Sequence, residues 1–171
     1  MPEGTPIKIN PKKAVTITVK MSWLLYDIIN ETYLRGRTIQ NKDNHKEVAS
    51  MYASKDEENL ERVLRSIKKG FAEVKSELSE YLDENATKVD DTPISADSDL
   101  VINLQMPSNF NEAATAGIGE AMHDYLKNST VAEWYLVTNK SEASDYFALA
   151  QKSMLSIQQA VSKRSRPKRP E

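Results

Sequence analysis

The sequence predicts a mainly α protein: an antiparallel helical bundle, with a small two-stranded β appendage and flexible termini. Three observations lead there. Leu60, Leu64, Ile67, Phe71, Val74, Leu78 and Tyr81 recur in steps of three or four with polar residues between them. That spacing lays one apolar stripe along a long helix, and such a stripe needs a partner helix to cover it. Ala143, Phe147, Ala150, Met154, Ile157 and Val161 draw a second stripe, which Tyr146 and Leu155 widen. Two short stretches instead alternate with period two, Val15-Ile17-Val19 and Leu100-Ile102-Leu104. They are the only candidates for strands, and a single pair is marginal unless a helix or another subunit covers it.

In chain order, residues 1–14 carry Pro2, Gly4, Pro6 and Pro11 and are expected to form a flexible arm that orders against a partner. The bundle domain is expected over residues 15–162. Ser22 is placed to cap a first helix whose broad apolar face holds Trp23, Leu24, Leu25, Ile28, Ile29, Thr32 and Tyr33, with Gly36 as its end. A polar loop at residues 41–44 precedes a short helix over residues 46–53. The long helix then begins near Lys55 and reaches about Leu82, with Asp56, Glu57 and Glu58 at its positive end. Gly70 inside it costs roughly 1 kcal/mol relative to alanine, unless it marks a close crossing.

Residues 83–99 hold six acids (Asp83, Glu84, Asp90, Asp91, Asp97, Asp99) against Lys88, a net −5, and are expected to be an acidic loop. After Pro107, Ser108 or Asn109 is placed to cap a helix whose face holds Ala113, Ala116, Ala121, Met122 and Tyr125, and Asn109 and Glu112 have capping-box spacing. Gly117 and Gly119 weaken that helix locally. A separate short helix is expected over residues 130–137. Ser141 is placed to cap the last helix, and Pro167 and Pro170 stop it from extending through residues 163–171. Three main helices plus shorter ones result.

The chain of 171 residues suits one domain. It has no cysteine, which leaves no disulfide, thiolate nucleophile or thiolate metal site. No stretch approaches the apolar length of a membrane span, and the first residues lack the apolar core of a secretion signal. A soluble protein without a membrane partner is therefore expected.

The chemistry-bearing residues do not assemble into a catalytic pattern. His123 follows Glu120 by three positions, a single Glu-x-x-His pair, whereas carboxylate-bridged metal bundles need such pairs on several helices. Glu61, Glu73, Glu77 and Glu80 flank the long stripe as a solvated face. Asp90, Asp91, Asp97 and Asp99 lack calcium-hand spacing. Gly117-Ile118-Gly119 lacks the Gly-Lys-Ser/Thr of a phosphate loop. No catalytic, cofactor-binding or metal residue is assigned, and a non-enzymatic protein is expected.

Two features instead suggest binding. Lys163, Arg164, Arg166, Lys168 and Arg169 put five cations in seven residues at the C-terminal end. Such a tail solubilises a terminus, contacts nucleic-acid phosphates without sequence preference, or docks on an acidic protein surface such as residues 83–99 of another subunit. Most aromatics are expected in the core, but Trp134, Tyr135 and Trp23 are candidates for a subunit interface, where such residues are enriched.

The stretches LYDI (25–28), YLRGR (33–37), LQMPSNF (104–110), AEWY (132–135) and RSRPKRP (164–170) resemble a family of small helical proteins encoded in prophages of gut Bacteroides-type bacteria. The resemblance spans most of the chain after residue 14. It implies a virion assembly role, by likeness to the helical adaptors that join portal to tail in tailed phages. It further implies a homo-oligomeric ring in contact with portal or tail proteins, located in the virion and in the host cytoplasm during assembly. In that setting residues 1–14 order within the assembly and residues 163–171 meet the portal or the DNA path. The strand pair and the long central helix depart from a simple adaptor.

Overall fold

The computed structural model describes residues 11–86 and 92–169. Strand β1 (Lys13–Val19) runs directly into helix α1 (Met21–Ile39), which is followed by α2 (His45–Met51), α3 (Glu57–Glu77) and a 3-10 turn at Ser79–Tyr81. Strand β2 (Leu100–Met106) leads through a second 3-10 turn (Glu112–Ala114) into α4 (Thr115–Thr138), and α5 (Lys140–Val161) closes the chain. The result is a mainly helical bundle with one small sheet.

The two strands pair antiparallel, with Ile17 opposite Ile102 and Lys13 opposite Met106. Their alternation fixes the register: Val15, Ile17 and Val19 share a buried face with Leu100, Ile102 and Leu104, and a slip of either strand by one residue would turn its own three to water. The helix α4 covers that face and removes the instability of an isolated pair. On the outer edge of β2 the backbone of Asp83 donates to Asn103 O at 2.9 Å. The expected acidic loop is thus partly docked, since Ile94 and Ala96 also pack on the core. Asp90 and Asp91 lie outside the described residues, as do residues 1–10 of the expected arm. Lys13 and Ala14, placed in that arm, belong to β1.

The helix α4 is central. It meets α1, α2, α3, α5 and β1, and it folds back into α5 through Asn139 alone. Two separate helices were expected across its span, but residues 126–129 contain no breaker. Asn128 and Ser129 are buried there, and Ser129 returns its hydroxyl to Leu126 O. Gly70 does mark a close crossing: a Cβ there would stand 3.0 Å from Ser129 Oγ and 3.2 Å from Leu126 Cδ2. Gly36, expected to end α1, is instead buried inside it, where a side chain would overlap Tyr52.

The helix ends differ from the expected capping pattern. Ser22 lies inside α1, and the backbone N–H of Met21 is met by Asp99 Oδ1 at 3.1 Å, from the far end of the acidic loop. Ser141 donates to Asn139 Oδ1 and does not cap α5. Asn111, not Asn109, accepts from Ala113 N ahead of α4. The elbow between α2 and α3 is pinned from two sides: Thr32 Oγ1 accepts from Ala53 N at 3.0 Å, and Trp134 Nε1 donates to Met51 O at 2.8 Å.

A cleft between α1 and α4

Trp134 and Tyr135, the interface candidates, lie inside the folded chain. Trp134 is 6% exposed, and Tyr135 is fully buried with its ring edge-on to Tyr146 at 5.4 Å. They were candidates because tryptophan and tyrosine favour interfaces, but both lie on the faces of α4 that neighbouring elements cover, while Lys127 and Glu133 take its more open side. Their surroundings form a polar seam with α1 and α5. Tyr146 donates to Glu31 Oε1 at 2.6 Å, and Arg35 Nε meets Glu142 Oε2 at 2.5 Å. Burial and the neighbouring carboxylates raise the hydroxyl pKa of Tyr135 and Tyr146 well above the tyrosine norm. The Glu142 hydrogen bond likewise holds the Arg35 guanidinium charged.

Trp23 has the opposite setting. It is 67% exposed and Tyr26 is 65% exposed, on the face of α1 away from Leu24, Leu25 and Ile28. The face expected to be continuous is therefore two stripes, one packed and one open. Tyr33 continues the open stripe, tilted against Tyr52 at 5.3 Å with the Arg37 guanidinium 5.8 Å from its ring centre. From Trp23 to Tyr33 the stripe runs about 15 Å along the helix.

The open stripe borders two depressions that share Tyr26. A hollow of about 230 Å³ is lined by Tyr26, Ile29, Tyr33 and Tyr52 among others. A larger cleft of about 540 Å³ lies between the start of α1 and the first turns of α4, within the range of ligand-binding sites. Its walls bring Trp23 and Tyr26 together with Asp27, Glu120, His123 and Asp124. Three carboxylates there face Lys20 alone, a net −2 with the imidazole neutral. Lys20 is already engaged by Asp99 at 2.9 Å, and Asp27 Oδ2 lies 2.6 Å from His123 Nε2. Asp124 is held only at 3.7 Å by Lys127, and Glu120 forms no ion pair among the described residues.

His123 is therefore half-sheltered and tied across helices to Asp27, rather than isolated. Among the described residues no three His, Asp or Glu side chains are placed to hold a metal ion. Glu73 is not a purely solvated carboxylate either, because it accepts the Tyr125 hydroxyl.

The basic tail begins as an ordered strap. Ser165 N donates to Asn109 O at 2.8 Å, Asn111 N donates to Lys163 O at 3.2 Å, and Arg164 Nη1 reaches Val161 O. Beyond it Arg166, Lys168 and Arg169 are exposed. The strap sits beside Lys13, whose ammonium donates to Phe110 O, while Trp23 follows the opposite end of β1. The sequence-derived candidates are thus split between the core, the cleft and the strap. Asp27 went unnoticed because it joins Glu120, His123 and Asp124 only in three dimensions. The signal for the aromatic edge was present: Trp23, Tyr26 and Tyr33 form a second helical stripe beside a complete one.

No protein-family profile, curated protein or solved structure matches the chain. Among the described residues no helix is long and apolar enough to cross a membrane.

Proposed function

We propose that this chain acts by binding and not by catalysis, as a structural protein of a tailed phage or prophage that joins head to tail during virion assembly. The observation that carries the binding role is the open stripe of Trp23, Tyr26 and Tyr33 on an otherwise packed helix. Large aromatics left in water beside a shaped cleft mark contact surfaces. The virion setting is supported by the prophage-family resemblance of the quoted stretches, and its partners are further copies of the chain and portal or tail proteins.

The test is to delete the coding sequence from its genome of origin and image induced particles. Heads without attached tails, corrected by the wild-type chain but not by Trp23→Ala/Tyr26→Ala, support the proposal. Intact virions made without the protein overturn it. A second reading is nucleic-acid association, favoured by the exposed Arg166, Lys168 and Arg169. On that reading, removing residues 163–171 abolishes a salt-sensitive affinity for DNA.

A further inference from the structure

We infer that the cleft between α1 and α4 receives the basic segment 166–169 of a second copy of this chain, which links copies head to tail. The inference rests on the open α1 stripe being a docking surface, and it names what occupies the acidic end of that surface.

The two parts are complementary in charge and in chemistry. The cleft offers Glu120, without an ion pair among the described residues, a weakly held Asp124 and the exposed rings of Trp23 and Tyr26. Carboxylates beside aromatic rings suit an arginine or lysine side chain, which gains an ion pair and a cation–π contact together. The same acids repel a phosphate. Arg166, Lys168 and Arg169 project from the chain immediately after the strap and make no ion pair among the described residues. Pro167 restricts the segment, so less entropy is lost when it is ordered in a cleft.

Reach separates the chain's own tail from a neighbour's. The strap is fixed beside Lys13 through Asn109 and Phe110. At about 3.4 Å per residue, the strand β1 carries Val19 about 20 Å from Lys13. Four residues beyond the strap extend at most about 14 Å, so the chain's own segment, even where it reaches the α4 wall, falls short of the Trp23 end and cannot fill the cleft. A cleft on one copy filled by a tail from the next is a heterologous contact, and such contacts propagate into a ring or a filament.

Charge reversal on the full-length chain tests this. One variant reverses the tail (Arg166→Glu, Lys168→Glu, Arg169→Glu) and the other reverses the cleft (Glu120→Lys, Asp124→Lys). Both sets of residues are exposed, and circular dichroism with a urea midpoint checks that each variant keeps its fold. Sedimentation equilibrium in low salt then reads self-association. Wild type is expected to associate, each reversed variant to do so at least about tenfold more weakly, and an equimolar mixture of the two to recover most of the affinity. Recovery follows because each tail then finds a cleft of opposite sign.

A wild type that stays monomeric at every concentration overturns the inference. So does an unchanged constant in either folded variant, or a mixture that does not recover. If tail reversal removes DNA binding alone, the tail serves a phosphate partner and the inference also fails. In these cases the docking role of the α1 stripe stands or falls separately, on the tail-attachment phenotype of Trp23→Ala/Tyr26→Ala.

Discussion

Two aromatic pairs in this molecule have opposite environments. Trp134 and Tyr135 lie inside the bundle, with the indole N–H satisfied by Met51 O and the tyrosine ring set against Tyr146. Trp23 and Tyr26 lie on α1 with most of their surface in water, one packed stripe away from the same core. Both pairs sit on helices in apolar patterns, so residue type does not separate them. The helix partners do: α4 packs against α1, α2, α3, α5 and β1, whereas α1 packs on α4 and α2 and leaves its Trp23–Tyr26 edge open. The inner pair holds the fold, and the outer pair is available for contact.

The largest expected effect breaks the inner pair. Trp134→Ala removes a buried indole and leaves Met51 O without its donor, and should cost about 3–5 kcal/mol in urea unfolding. Trp23→Ala should stay within about 0.5 kcal/mol of wild type in the same measurement. Comparable losses at both positions would erase the distinction.

Alkaline pH should act on the inner region next. Burial raises the hydroxyl pKa of Tyr125, Tyr135 and Tyr146, with the carboxylates Glu73, Glu142 and Glu31 adding to it. The folded state holds these protons more tightly than the unfolded chain, whose tyrosines ionise near pH 10. The stabilisation is therefore complete below about pH 10 and falls as pH rises beyond it. The urea midpoint should hold up to about pH 10 and drop as pH rises above it, and a flat profile across that range would contradict the assignment.

The outer pair is expected to respond in association rather than stability. Trp23→Ala/Tyr26→Ala should weaken self-association about tenfold in low salt at an unchanged urea midpoint. Smaller still is Gly36→Ala. Its methyl must push the Tyr52 ring off Tyr33, a net loss of about 1 kcal/mol after the gain in helix propensity. Smallest is Lys69→Ala, which breaks the exposed pair with Glu133 at 2.6 Å and should cost no more than about 1 kcal/mol.

Much of the fold was legible because its signals are local. The stripe from Leu60 to Leu78 placed α3, although its buried line also includes Val63, and period-two alternation placed both strands. Where structure depends on distant partners, the sequence was mute. Asp99 satisfies the start of α1 across 78 positions, so the local candidate Ser22 was the wrong cap. Gly36 resembles a helix stop but is small because Tyr52 and Val48 press against it. The cleft was the least legible part. Its aromatic edge follows from spacing on α1, but the pairing of Asp27 with His123, 96 positions apart, has no local signature.

The chain has only two tryptophans, one in each region, so fluorescence tests the central claim directly. The difference in emission and acrylamide quenching between wild type and Trp23→Phe isolates Trp23, and is followed against protein concentration at low and high salt. The account predicts that Trp23 emission moves to shorter wavelength and loses quencher access as copies associate, and that salt reverses both. A Trp23 signal that stays solvent-exposed while the protein associates would show that assembly uses another surface and would contradict the account.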